Sequence, residues 1–179
     1  MITTLYHGSS NFSTLGGYAG GKKDNFQYGV GLYTTNAYNW AELYGRSVYA
    51  LTVELNEAQH ANNVEISIEN LMYWTKCYCS QKVAKLFVKE FSQRETMSGH
   101  RFELWLYWNV RRLHLIAKEL AAFFTAQGIT HNSDAGNYGG KLVRIYDFDI
   151  ISHSTKERKV LQDLEYATTE LPQYILERA

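Results

Sequence analysis

Tyr33 and Tyr44 stand eleven residues apart in the stretch Tyr-Gly-Val-Gly-Leu-Tyr-Thr-Thr-Asn-Ala-Tyr-Asn-Trp-Ala-Glu-Leu-Tyr, residues 28–44. Two phenol rings that face each other can grip a flat heterocycle. Gly29 and Gly31 let the backbone before them turn sharply or lie close to a ligand, since neither carries a Cβ. Leu32, Tyr33, Thr34 and Thr35 read as a short strand of aromatic and β-branched residues. Asn36 reads as an N-cap, and Ala37, Trp40, Ala41 and Tyr44 follow at helical spacing. The same pattern also fits a strand–helix unit whose tyrosines are only core.

A second segment, Tyr6-His7-Gly8-Ser9, closes the strand-like run that begins at Ile2. Taken with Gly29-Val30-Gly31-Leu32-Tyr33-Thr34-Thr35 and Tyr44, it resembles the ADP-ribosyltransferases of the diphtheria-toxin and poly(ADP-ribose) polymerase type. That group carries Tyr-His-Gly-Ser/Thr, then Gly-x-Gly-Ile/Leu-Tyr, then a further tyrosine eleven residues on. The resemblance covers residues 5–56 well, the run 141–150 weakly, and the intervening helical region not at all. It implies NAD as co-substrate. His7 would hydrogen-bond ribose hydroxyls, as an imidazole that both donates and accepts can do. Gly8 would offer its backbone to the nicotinamide carboxamide, and Ser9 or Ser10 would hold a ribose hydroxyl. Tyr33 and Tyr44 would sandwich the nicotinamide ring with Phe26 as a wall, and Gly31 and Thr35 would complete the binding segment.

The third motif departs from the pattern. The group commonly places a glutamate at the start of a late strand ending Tyr-Asp. Here that strand is Lys141-Leu142-Val143-Arg144-Ile145-Tyr146-Asp147, and the acid position falls near Leu142. Members that replace the acid transfer single ADP-ribose units or have lost activity, so the resemblance implies mono-ADP-ribosyl transfer or an inactive NAD- or ADP-ribose-binding module. Asp134, in the turn-rich run just upstream, is the nearest carboxylate that a loop could bring to the site; a turn-forming role is its alternative. Glu42 is a weaker candidate.

The resemblance implies a macromolecular acceptor, protein or nucleic acid. Lys76, Lys82, Lys85, Lys89, Arg94, Arg111 and Arg112 are interleaved with Tyr73, Trp74, Tyr78, Trp105, Tyr107 and Trp108. Charge combined with stacking surfaces suits single-stranded nucleic acid, while a solvated helix face over an aromatic core accounts for the same residues. The size of the chain fits a compact toxin or defence effector, and a neutralising antitoxin protein would follow from that role.

Eighteen basic residues balance eighteen acidic ones, so net charge gives no general push toward nucleic acid or acidic membranes. Cys77 and Cys79 make neither a disulfide framework nor a zinc site, and no metal is expected. No apolar run reaches the ~20 residues that span a bilayer. The strand-like start lacks a signal peptide, and the expected location is cytoplasmic.

These residues need a scaffold. Strands are expected over 2–7, 32–35, 47–56 and 142–151, with a brief one at 129–131 and helical patterns over 67–93 and 101–127. In the second helical run Leu104, Trp108, Leu115 and Ala122 are expected to face the core, and Gly128 to stop the helix. Gly16–Asp24 reads as a flexible loop, 132–140 as turns, and a helix is expected before Pro172. The fold class is α+β: one domain over 1–179, a small split β-sheet core with a helical insertion at about 67–127.

Overall fold

A computed structural model of the chain describes residues 1–9, 31–43, 47–135 and 141–158. In chain order these form β1 (Ile2–Ser9), β2 (Leu32–Thr35), the short helix α1 (Tyr38–Glu42) and β3 (Ser47–Glu54). A helical block follows, built from β4 (Glu65–Ser67), α2 (Ile68–Tyr78), α3 (Gln81–Phe91), β5 (Thr96–Ser98), α4 (Gly99–Asn109) and α5 (Ala117–Ala126). The chain then returns through β6 (His131–Ala135), β7 (Lys141–Ile145) and β8 (Ile151–Arg158). The protein is therefore α+β.

Six strands make one antiparallel sheet in the order β6-β7-β2-β1-β3-β8. Its pairing is uneven. β1 is in register with β3 along all eight of its residues, from Ile2↔Glu54 to Ser9↔Ser47, and β2 with β7 along four. Between β1 and β2 the register holds at Tyr6↔Thr35 alone. The sheet is thus two three-stranded blocks, β6-β7-β2 and β1-β3-β8, meeting at a seam.

One face of the sheet is apolar by strand alternation, with Leu5, Leu32, Leu51, Val53, Val143 and Ile145 in a single cluster. The opposite face carries two covers. Over β1 and β3 lies α1, whose Ala41 is buried and whose Tyr38 packs edge-on against Tyr6 at 5.3 Å. Over β6 and β7 lies the helical block, whose core around Phe87, Phe102, Leu106 and Phe124 also takes in Tyr146.

The block is assembled from two similar units. β4 and β5 pair with each other, and each ends in a serine that caps the helix after it: Ser67 Oγ accepts from Asn70 N, Ser98 Oγ from Arg101 N. Ser80 caps α3 in the same way and divides the expected helix 67–93 in two. Gly128, at φ +79°, ends α5 as expected.

Several expectations need correction. The first strand does not turn at His7 but continues to Ser9. Asn36 is not the cap of α1; its Oδ1 accepts from Lys141 N at 2.8 Å, and the N-cap residue is Ala37. The run 132–140 is not wholly turn, since β6 occupies His131–Ala135, so Asp134 belongs to a strand. The run 142–151 breaks at Asp147, whose Oδ1 accepts from Asp149 N and carries the chain across to β8. In the helical block Leu104, Trp108 and Leu115 face solvent (48%, 75% and 63% exposed), while Phe102, Trp105 and Leu106 are buried. The glycine-rich loop at 16–24 and the helix before Pro172 lie outside the described residues.

Candidate functional site

The two motif segments meet at the seam. β1 brings His7 to the point where its pairing with β2 lapses, and the ring reaches across: His7 Nδ1 lies 2.7 Å from the Tyr33 carbonyl oxygen. A carbonyl only accepts, so Nδ1 carries the proton and Nε2 is the acceptor atom of the neutral ring. Burial lowers the His7 pKa below 6.5, against the opposing pull of that hydrogen bond. The imidazole is therefore neutral near pH 7 and fixed in one tautomer.

Alternation sends the two side chains different ways. His7 pairs with Tyr49 and leaves β1 on the face of Leu5, whereas Tyr33 pairs with Arg144 and leaves β2 on the helical-block face. They are joined through ring and backbone across the seam. Gly8 and Ser9 complete β1 opposite Val48 and Ser47. Thr35 Oγ1 accepts from Ala37 N at 3.1 Å and so shapes the entry to α1, and Thr34 Oγ1 donates to the Val143 carbonyl. Gly31 has φ +126°, and a Cβ there would stand 3.1 Å from the Ile145 carbonyl oxygen and 3.2 Å from Arg144 Cβ. Packing against β7 alone is reason for a glycine at this position. Phe26 and Tyr44 lie outside the described residues.

Beside Tyr33, on the same face, runs a buried polar layer. Tyr33, Arg144 and Asn132 are in register across β2, β7 and β6. Glu103 descends from α4 onto them. Its Oε2 receives Arg144 Nη1 at 2.8 Å, the Tyr146 hydroxyl at 2.8 Å and Asn132 Nδ2 at 3.0 Å. Asn132 Nδ2 also donates to His100 Nδ1 at 2.9 Å. Burial together with the neighbouring Glu103 carboxylate raises the Tyr146 pKa, so the phenol stays protonated as the donor. Sequence reasoning missed Glu103 and Arg144 as a pair. The available signal was a charge inside each of two apolar runs, Phe102-Glu103-Leu104-Trp105 and Val143-Arg144-Ile145.

The next register line carries the acid question. Thr35, Leu142 and Asp134 stand opposite one another on β2, β7 and β6. Asp134 is thus placed across from Leu142, where the resemblance puts its glutamate. Nearby, His60 Nε2 is 2.9 Å from Ser133 Oγ, which invites a reading as nucleophile and base. His60 Nδ1, however, accepts from Asn62 N, so in the neutral ring Nε2 is the protonated nitrogen and donates to the serine. This pair positions Ser133 and has the wrong tautomer to activate it.

The basic and aromatic residues of the helical block do not form one set. Trp74 and Trp105 are core, with Trp105 Nε1 donating to Glu90 at 2.6 Å, while Tyr73, Tyr78, Tyr107 and Trp108 are exposed. Cys77 is exposed; Cys79 is half-buried and its thiol is pushed up to about 11 by burial. Among the described residues no three His, Cys, Asp or Glu side chains are grouped to hold a metal ion, and no helix is long and apolar enough to cross a membrane. Compared with family profiles, curated proteins and solved structures, the chain gives no significant match.

Proposed function

We propose that this chain is an NAD-dependent mono-ADP-ribosyltransferase that modifies an intracellular macromolecule, protein or nucleic acid, as a toxin or defence effector. The observation that carries the reading is the His7–Tyr33 hydrogen bond across a seam that divides the sheet in two. It ties the first motif of the resemblance to the second where β1 and β2 share a single register position. The gap also supports the expectation of a split sheet.

In this reading bound NAD supplies a glycosidic bond that breaks as nicotinamide leaves and an acceptor nucleophile takes the ADP-ribosyl group. The chain's own residues bind and orient it. His7 Nε2, held as an acceptor on one face of the sheet, takes a ribose hydroxyl hydrogen bond; Gly8 and Ser9 hold the adjoining backbone and hydroxyl contacts; Tyr33 leaves the other face, so the ligand has to cross the seam for Tyr33 to stack on its flat base with Tyr44 and Phe26. Fixing the reacting groups in place is what accelerates such a step. Asp134 takes the acidic part, and an antitoxin protein is the partner expected of such an effector. The action is placed in the cytoplasm.

Leu142 favours a second reading. With an apolar residue at the acid position, the same pocket could bind NAD or ADP-ribose without transferring it. Incubation of the protein and cell extract with labelled NAD, followed by mass spectrometry of labelled species, separates the two. Label on protein or nucleic acid that disappears in folded His7→Ala and Tyr33→Ala variants supports the transferase. NAD binding without label supports the module. Neither binding nor label from a folded protein removes both.

A further inference from the structure

The helical block meets the start of β6 through the connection 59–64. Thr130 N donates to the Gln59 carbonyl at 3.0 Å and Ala61 N to the His131 carbonyl at 2.9 Å, a short parallel bridge of His60 with His131. On its other side the connection receives α4: His100 N donates to the Ala61 carbonyl at 2.9 Å, and Gly99 N to the Val64 carbonyl at 3.1 Å. Ala61, between these bonds, is fully buried, and a Cβ on Gly99 would collide with Ile129. We propose that His60 makes this joint acid-sensitive: on protonation the connection lets go of β6 and of α4 while the β1–β3 half of the sheet stays folded. The device is independent of the NAD reading.

The reason lies in which atom of the ring holds the turn. His60 Nδ1 accepts from Asn62 N at 3.1 Å, the same side-chain-to-backbone turn that Asn56 Oδ1 makes with Ala58 N at 3.1 Å. An amide oxygen goes on accepting in acid. An imidazolium has no acceptor, so a protonated His60 sets N–H against N–H at Asn62. Its Nε2–H keeps the bond to Ser133 Oγ in either state, and the Thr130 hydroxyl, 2.9 Å from His131 Nδ1, serves either state of that ring. The bond lost is the one that shapes the connection. The two imidazoles are both buried and stand edge-on at 5.0 Å, so a charge on one also opposes a charge on the other. Burial is the first cause that holds both rings below 6.5, and His60 adds to it at His131. Of the charged groups around His60, Glu57 favours the proton, and Lys141, His100 and Arg144 oppose it; Glu57 and Lys141 act alike on His131. Glu103 of α4 is held by Arg144 on the other face of the sheet. In the open joint both rings recover an ordinary affinity for the proton. Each pH unit below about 6.5 therefore favours opening by up to about tenfold per histidine, and above that value the joint stays closed. Release also uncovers the backbone edge at the start of β6, and an uncovered edge is ready to pair again.

The test is amide protection of the intact protein, followed residue by residue by NMR at about pH 7 and about pH 5.5. Ala61 and His100, whose N–H groups close the joint, should lose protection about tenfold or more between the two. At the lower pH they should also be at least about tenfold less protected than amides of the β1–β3 ladder, because the joint opens without the sheet. His60→Asn keeps an acceptor for Asn62 N and takes no proton, so it should cut the acid-dependent loss about fivefold or more. Joint amides no less protected than the ladder would place the acid effect in global unfolding and overturn the joint. An undiminished loss in His60→Asn would overturn the part given to His60. Should that variant fail to fold, the imidazole nitrogen shifts of the parent decide. A His60 Nδ1 that gains its proton as Ala61 loses protection supports the device; one that gains it while Ala61 stays protected overturns it.

Discussion

Glu103 on α4 and Arg144 on β7 form an ion pair of 2.8 Å in which neither side chain is more than 3% exposed. It ties the helical block to the sheet in the strand position beside Tyr33. Removing one partner of such a pair strands the other charge in a dry layer, which typically costs 3–5 kcal/mol. Glu103→Ala would also leave Tyr146 and Asn132 without their acceptor. The expected outcome is a melting temperature lower by roughly 6–20 °C. Glu103→Leu combined with Arg144→Met should recover the part of the loss that comes from the stranded arginine, because no buried charge is then left alone, while Tyr146 and Asn132 still lack their acceptor. A double variant no more stable than Glu103→Ala would mean that the pair itself, rather than the stranded arginine, holds the block in place.

At His7 one substitution can separate scaffold from chemistry. Asparagine places an amide N–H close to the position of Nδ1 and has nothing at Nε2. His7→Asn should keep the bond to the Tyr33 carbonyl and stay within about 1 kcal/mol of the parent. It should still lose at least about tenfold in NAD binding or transfer if the imidazole takes a ribose hydroxyl. His7→Ala should lose both stability and binding. Equal NAD affinity in parent and His7→Asn would remove the imidazole from the site.

Gly31→Ala tests the entry to β2. The substitution forces a side chain into a left-handed backbone and against the Ile145 carbonyl. A loss of about 1–3 kcal/mol is expected, read from urea unfolding. A neutral result would mean that β7 yields there.

Acid should weaken the protein at a defined place. His131 is buried, stacked edge-on against His60 at 5.0 Å, and its pKa is lowered to about 4 by burial and by the neighbouring imidazole. His60 is lowered too, by burial first, with Glu57 opposing and Lys141, His100 and Arg144 adding to the effect. An unfolded histidine binds its proton near pH 6.5, so between there and about 4 the unfolded chain holds more protons than the folded one. Stability is therefore full above pH 6.5 and falls as pH drops, by up to about 3 kcal/mol from His131. Unfolding midpoints in urea at about pH 7 and about pH 5 measure the loss. His131→Gln should flatten the dependence, and an unchanged slope would place the acid sensitivity elsewhere.

The register line Asp134–Leu142–Thr35 allows the acid question to be put directly. If transfer is observed, Asp134→Asn should slow it about tenfold or more, within the range general acid–base groups contribute. Leu142→Glu on that background should restore a part. Full activity in Asp134→Asn removes the aspartate from the mechanism.

Strands with two well-marked faces were legible in the sequence. β3 alternates well from Ala50 to Glu54 and lies within its expected run 47–56, while β1 starts where expected and runs two residues past His7. β6 was not legible, because His131, Asn132, Ser133 and Asp134 are turn-formers by type. They hold an extended form through partners far along the chain: His60 for Ser133, His100 and Glu103 for Asn132. The face of α4 was misread for a related reason. Phe102, Trp105 and Leu106 define a buried stripe as good as that of Leu104 and Trp108, and only the Arg144 opposite Glu103 shows which side of α4 faces the sheet. At the candidate site, the motifs put His7 at the end of one strand and Tyr33 in another; that the two strands are neighbours is seen only in the sheet order. The seam between them was hidden, because it depends on how far two strands stay in register.

A six-stranded sheet whose middle pair of strands shares one register position, Tyr6↔Thr35, and the His7 contact to Tyr33 has two halves that can respond separately. Between β1 and β2 the register holds at Tyr6↔Thr35 alone, so amides that face this line should exchange with deuterium earlier than those of the β1–β3 ladder. Anything lodged across that line would act as a splint, and its arrival could be watched as slowed exchange at those positions.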